Sequence, residues 1–278
     1  MRLLHTNLTD VDATVLTASS TTTGKPVSRL KSSLRSVYWE ATGKTSESVT
    51  ADLGPGTHTV RALAITGFDL TREGTVEYLH STDNVNFTSL AVIVLGTPEF
   101  GYGEGGYGEG GYGGFSPIFV LMGHVISLFF SSLSSRYWRV IVKDPANTKN
   151  IRIGRWFIGD YWEPVSEHVK RGWRVMNVDE SEISVTIGRE KSVNERPSFL
   201  SASLQLPPLS ESDALDDLFT IVRDFGSKKD IFLIIFPNEN FETKFISSLY
   251  GSFPSNISLF NMVLSNYDAG IITFEESL

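Results

Sequence analysis

The chain contains no cysteine. That excludes a disulfide scaffold, thiolate-bound zinc, an iron–sulfur cluster and a cysteine nucleophile. Histidine is scarce: His5, His58, His80, His124 and His168 are scattered, no two of them at metal-ligand spacing, and each reads as a packed or surface residue rather than a base. Basic residues are outnumbered, 24 against 32 acidic, for a net charge of −8. A nucleic-acid binder ordinarily carries a basic stripe, so that class is set aside. Long apolar runs are missing too. The longest, residues 115–130, is interrupted by Pro117, Gly123, His124 and Ser127, and falls short of the roughly 20 residues of a spanning helix. A buried strand pair or one long strand is expected there, with no transmembrane segment. Met1-Arg2-Leu3-Leu4 runs directly into Asn7, Thr9, Asp10 and Asp12, without the apolar stretch of a signal peptide.

Marked catalytic motifs are also wanting. There is no Gly-x-Ser-x-Gly elbow, no His-Glu-x-x-His and no Walker loop. Glycoside hydrolysis needs two carboxylates flanking a cleft, and no local pattern singles out a pair. Ser81-Thr82-Asp83-Asn84-Val85-Asn86 offers oxygens that suit Ca²⁺, but its spacing is not that of a helix–loop–helix site, and a plain turn between strands is favoured. The expectation is a protein that is not an enzyme, with no catalytic residues, no cofactor and no metal site.

What is present is a strand-forming chain of 278 residues, 41% hydrophobic and 12% aromatic, enough for real cores. Val60-Arg61-Ala62-Leu63-Ala64-Ile65-Thr66-Gly67 is β-branched and apolar. Thr75-Val76-Glu77-Tyr78-Leu79 alternates, placing Val76 and Tyr78 on one face. Tyr137 to Val142 and residues 151–159 continue the series, and residues 184–187, 200–206, 231–236 and 270–274 read as later strands. Short strands between Gly, Pro and Asn clusters indicate an antiparallel sandwich. One helix is marked, over 210–225. Ser210 is the N-cap, acids occupy the first turn, and Leu215, Leu218, Phe219, Val222 and Phe225 form an apolar stripe. Gly226 ends it.

Charge divides the chain near Trp162-Glu163-Pro164. Residues 1–163 hold 14 basic and 15 acidic side chains, whereas residues 164–278 hold 10 and 17. Two domains are expected, 1–163 and 164–278.

The low-complexity segment 101–114 repeats Gly-Tyr-Gly-Glu-Gly with a five-residue period. Glycine at this density is costly to order, so one reading is a flexible loop. The other is a partner-contact loop carried by Tyr102, Glu104, Tyr107, Glu109 and Tyr112, since tyrosine supplies large amphipathic area with few rotors. Under that reading it projects from a rim of the first domain and orders on assembly.

Several stretches together suggest a family. Leu16-Thr17-Ala18-Ser19-Ser20, Gly24-Lys25-Pro26-Val27-Ser28-Arg29-Leu30 and Tyr38-Trp39-Glu40-Ala41-Thr42-Gly43 resemble the opening of discoidin-like (galactose-binding-like) jelly rolls in phage tail proteins. Asp52-Leu53-Gly54, Arg136-Tyr137-Trp138-Arg139-Val140 and Ile153-Gly154-Arg155 extend that resemblance over roughly 1–162. In the second half Thr186-Ile187-Gly188, Arg196-Pro197, Phe236-Pro237-Asn238, Leu249-Tyr250-Gly251 and Phe274-Glu275-Glu276 resemble the tail-tube-like domain of siphophage tail-tip proteins. The resemblance implies an all-β protein with one packed helix: an N-terminal jelly-roll β-sandwich and a C-terminal tail-tube-like β-barrel or sandwich. It further implies a structural subunit of a tail tip or baseplate, made in the host cytoplasm and located in the virion. Its partners would be other phage tail proteins and further copies of itself in a ring, together with a host-surface glycan. The alternative is a carbohydrate-binding module protein without catalytic activity.

Overall fold

The computed structural model describes residues 1–56, 58–96, 121–122, 125–165, 173–185, 189, 191–254, 260–263 and 266–277. They form two compact units, Asn7–Asp160 and Met1–Thr6 with Tyr161–Leu278. The fold is all-β with short helices, and every strand pairing among the described residues is antiparallel.

The Asn7–Asp160 unit contains a five-stranded sheet in the order Val15–Ala18, Glu47–Asp52, Tyr137–Lys143, Thr75–Ser81, Thr88–Val94. A three-stranded sheet runs Ile126–Ser134, Thr59–Thr66, Arg155–Gly159. The period of two places Val76 and Tyr78 inward from one strand and Trp138, Val140 and Val142 from the next, all fully buried. The Tyr78 hydroxyl crosses between the sheets to donate to Ile126 O at 3.0 Å, and its burial raises the phenol's pKa. Thr59–Thr66 is central, and its last five residues are buried, which is why it reads as a nearly unbroken apolar run. The Ile126–Ser134 strand comes from the apolar run at 115–130, and Leu121–Met122 pairs with Asp69–Leu70. The remainder of 115–124 lies outside the described residues.

One expected strand is in fact two. Residues 151–159 break at Gly154, where a Cβ would stand 2.5 Å from Arg35 O. Arg152–Ile153 pairs with Trp39–Glu40, while Arg155–Gly159 joins the three-stranded sheet. Across the break, the buried Arg155 donates to Leu30 O at 3.1 Å and to Asp10 Oδ2 at 2.5 Å, fastening the 27–31 segment to the sandwich.

The other unit is built on a six-stranded sheet ordered Arg2–Leu4, Ile231–Ile234, Ser248–Ser252, Ile271–Glu276, Phe199–Gln205, Arg174–Val178. Its core gathers Leu204, Leu218, Ile221, Leu233, Phe253 and Phe274. The first residues of the chain belong here rather than with the first domain. Arg2–Leu4 pairs with Ile231–Ile234, and Leu3 and Trp162 exchange two 2.9 Å backbone hydrogen bonds.

The expected helix is present but its phase is shifted. Ser210 Oγ accepts from Asp213 N at 3.1 Å, as an N-cap does. Over Ser212–Leu218 the turns are then π-type, with Phe219 N donating to Ala214 O five residues back, before α-helix resumes at Phe219–Asp224. The wider turn rotates the inward face onto Ala214, Leu218 and Ile221, and leaves Leu215 at 38% and Phe219 at 48% exposure. Those two members of the expected stripe face outward because the stripe assumes 3.6 residues per turn throughout. A second helix, Phe241–Ile246, is capped by Asn240 Oδ1 accepting from Thr243 N at 2.9 Å.

Candidate functional site

Strand direction in the five-stranded sheet brings several loops to one end of the sandwich. Val142 faces Glu47 and Lys143 faces Thr75, so the segments around 44, 74 and 144 are neighbours. Asp144 N donates to Lys44 O at 2.9 Å, Ala41 N to Ile151 O at 2.9 Å, and Thr22 N to Glu40 O at 2.8 Å. Five stretches of chain, near 19–25, 38–47, 67–75, 94–96 and 143–152, are thereby fixed at one rim.

Buried polar groups hold that rim. The Asp144 carboxylate, with no solvent exposure, accepts from Thr71 N at 2.7 Å, Thr71 Oγ1 at 2.6 Å and Asn147 Nδ2 at 3.0 Å. Asn147 Nδ2 also donates to Asp69 O at 2.6 Å, and Lys44 Nζ bonds Asn147 O. The Glu47 carboxylate accepts from Ser19 Oγ and Ser20 Oγ at 2.5 and 2.6 Å. Trp39 is buried, and its indole N–H reaches Ser20 O at 3.1 Å. Charge–dipole bonds of this kind are strong where water is excluded, so the loops carry little freedom of their own.

Above this base stands a polar cluster around an aromatic ring. Lys25 Nζ lies 4.7 Å from the centroid of the half-buried Tyr38 ring, and the Arg152 guanidinium 5.2 Å. Lys25 pairs with Glu40 at 2.6 Å, while Lys149 and Arg152 approach Asp69 Oδ2 at 3.0 and 3.4 Å. The Lys25 ammonium lowers the pKa of the Tyr38 phenol, and the Glu40 carboxylate raises that of Lys25. Asp69 Oδ1 and Arg152 Nε are buried and have no hydrogen-bond partner among the described residues. The arrangement can stack an apolar ring face on Tyr38 while hydrogen-bonding hydroxyl or acid groups at its edge.

The residues expected to contact a partner, Tyr102, Glu104, Tyr107, Glu109 and Tyr112, lie outside the described residues, as do His124 and His168. The described chain on either side of them meets this same rim. Leu121 pairs with Leu70, and a Cβ on Gly96 would come within 2.7 Å of Arg72 O. The other histidines are not brought together. His5 stacks edge-on against Phe225 at 5.4 Å, and His80 bonds Ser135 Oγ at 2.8 Å. At Ser81–Asn86 the Asp83 carboxylate accepts from Ser81 Oγ, Val85 N, Asn86 N and Asn86 Nδ2, between 2.7 and 2.9 Å. These donors hold its pKa far below the usual carboxylate range. With Asn84 at φ 61, this is a self-contained turn whose acceptor oxygens are taken up by its own donors.

Lys25, Tyr38, Glu40, Asp69, Lys149 and Arg152 were not expected as site residues from the sequence, although Lys25, Tyr38 and Glu40 lie in the stretches that carry the family resemblance. The usable signal was weak: polar or charged residues at the ends of alternating strands.

No protein-family model and no curated protein matches the chain. Solved structures do resemble it. The Ruminococcus gnavus GH29 fucosidase E1_10125 in complex with fucose has a TM-score of 0.42 at 14% identity, covering 57% of this chain and 27% of its own. Chitosan-binding module 1 from the chitosanase/glucanase of Paenibacillus sp. IK-5 has 0.40 at 16%, covering 56% and 100%. The family 32 carbohydrate-binding module of Clostridium perfringens NanJ, in complex with galactose, has 0.38 at 13%, covering 58% and 100%. The chain thus spans about a quarter of the fucosidase and the whole of the two modules. Among the described residues no helix is long and apolar enough to cross a membrane.

Proposed function

We propose that the Asn7–Asp160 unit is a carbohydrate-binding module that holds its glycan without cleaving it. The observation carrying this reading is the rim cluster, in which the half-buried Tyr38 ring is flanked by Lys25 and Arg152 and bordered by Glu40, Asp69 and Lys149. A sugar presents a C–H face and a ring of hydroxyls, and the cluster offers a matching aromatic face and fixed donors and acceptors. The buried Asp144–Thr71–Asn147 network supplies the preorganisation that lets such small contacts add up to affinity. Binding without turnover fits the two nearby carboxylates, since Glu40 and Asp69 are both tied in ion pairs with cations.

The test is a glycan array probed with the purified chain, followed by mass spectrometry of the bound sugar after prolonged incubation. The proposal expects retention of at least one glycan class, recovered intact, with binding lost in Tyr38→Ala. Retention of none, or recovery of shortened products, would overturn it.

A second reading, an assembly subunit of a phage tail that packs in a ring with other tail proteins in the virion, has its own support in the other unit. There the hairpin Glu182–Val185/Lys191–Asn194 pairs Ile183 with Val193 across its strands, and both stand exposed, at 59% and 45%. A two-strand ribbon is marginal alone and gains from a neighbour. Sedimentation of the purified chain, with electron microscopy of particles carrying it, tests this reading. Ring-sized oligomers that are lost in Ile183→Ser would favour it, and a monomer absent from particles would refute it.

A further inference from the structure

The charges at the rim are sorted by depth. Its acids point inward: Asp69 is 2% exposed, Asp144 and Glu47 are buried, and Glu40 lies beneath Lys25. Each is already engaged, Asp69 by Lys149 and Arg152, Asp144 by Thr71 and Asn147, Glu47 by Ser19 and Ser20, and Glu40 by Lys25. The cations point outward. Lys149 is 63% exposed, and Lys25 and Arg152 each keep about a third of the side chain in solvent. Glu73, exposed in the turn that follows Asp69, is the exception among the described acids of these loops. An incoming ligand therefore meets ammonium and guanidinium groups first, although the chain as a whole carries a net charge of −8.

Those cations retain donors. A lysine ammonium has three N–H groups and an arginine five. Lys149 makes one ion pair, Lys25 makes one ion pair and a hydrogen bond with Tyr38, and the Arg152 guanidinium has its Nη2 near Asp69. Asp69 alone stands against both Lys149 and Arg152, so a ligand carboxylate would complete that pairing and could take N–H donors from two cations at once, as charge-assisted bonds do. Resting on the carbohydrate reading above, we propose that the site takes an acidic sugar, its carboxylate held between Lys149 and Arg152 or Lys25 while its ring lies against Tyr38.

The experiment titrates the full chain with trisaccharides of galacturonate, glucuronate and mannuronate, each in parallel with its methyl ester and with the corresponding neutral sugar. Calorimetry is run at low and high NaCl. The expected result is that at least one acid form binds roughly tenfold or more tightly than its ester, as for a charge-assisted contact. Its affinity should fall with salt while that of the ester does not. Lys149→Gln and Lys25→Gln, both at solvent-accessible positions and checked for unchanged thermal unfolding, should remove most of the difference. Equal affinity for acid and ester would overturn the acidic-sugar assignment and leave the carbohydrate reading standing. Acid preference untouched by both variants would overturn the placement at this rim. Binding of neither acid, ester nor neutral sugar would overturn the acidic-sugar assignment, and with a blank glycan array the carbohydrate reading falls with it.

Discussion

Asp144 and Thr71, 73 residues apart in the chain, make two hydrogen bonds to each other, Thr71 N to Oδ2 at 2.7 Å and Thr71 Oγ1 to Oδ1 at 2.6 Å. The carboxylate is fully buried, so the loops around 71 and 144 are joined where water does not compete. Replacing Asp144 by Ala strands the Thr71 amide and hydroxyl and one Asn147 donor in a dry site. At about 1–3 kcal/mol for each unsatisfied buried group, with partial relief from relaxation, Asp144→Ala should cost about 3 kcal/mol. Urea unfolding of the variant measures this, and a midpoint unchanged from wild type would show that the contact contributes nothing.

Gly67 is the second structural test. Its φ is +69, and a Cβ there would stand 2.6 Å from Arg35 Cγ and 2.9 Å from Gly154 Cα. Gly67→Ala therefore combines left-handed strain of about 1–3 kcal/mol with overlap against the neighbouring backbone. A drop of several degrees in the melting temperature is expected in calorimetry. Gly24→Ala is the control: its φ is +80 but, its chain neighbours aside, no described residue lies within 4 Å of the added Cβ, so it should lose less.

Stability should also depend on pH through His80. Burial beside Trp138 and Ser135 disfavours the imidazolium, so the folded chain holds His80 below its ordinary value of 6.5. The unfolded chain therefore takes up the proton first. The contribution of His80 is full above about pH 6.5 and is lost as the pH falls through the lower, folded value. Asp52, whose carboxyl is held low by Arg136, works in the same sense but only in the carboxylate range, well below this window. Urea midpoints measured between about pH 7.5 and 5.5 should decline for the wild type and decline less for His80→Gln. Parallel profiles would contradict the assignment.

The helix carries a smaller prediction. Ser210→Ala removes the cap on Asp213 N and should lower the stability of its unit by about 1 kcal/mol, read from chemical denaturation. Ser210→Asn, whose amide can accept from Asp213 N and also donate to the Asp213 carboxylate as Ser210 Oγ does, should restore most of the loss.

These residues also show what could be read ahead of the fold. Thr75–Ser81 and Tyr137–Lys143 alternate in sequence because one face of each meets the core, and their inward residues, Val76, Tyr78 and Trp138, are buried as the pattern implies. Arg2–Leu4 gave no such signal: three residues are too few to show a period, and the pairing that makes them a strand lies more than two hundred positions away. The helix was legible in extent but not in phase, since nothing local announces the π-type turns that turn Leu215 and Phe219 outward. The rim cluster was the least legible. Lys25, Tyr38, Asp69 and Lys149 each look like an ordinary turn or strand-end residue, and only the antiparallel order of the sheet makes them neighbours.

The proposed function places an intact glycan at the end of the sandwich formed by residues 38–40, 69–72 and 144–152. Two-dimensional amide NMR of the labelled chain, titrated with the glycan that the array retains, measures this. Shifts should be concentrated at Tyr38, Glu40, Asp69, Lys149 and Arg152, saturating with added sugar and leaving the sugar's own spectrum unchanged over days. Shifts confined to the opposite end, around Ser81 to Asn86, or new signals from a cleaved sugar, would contradict it.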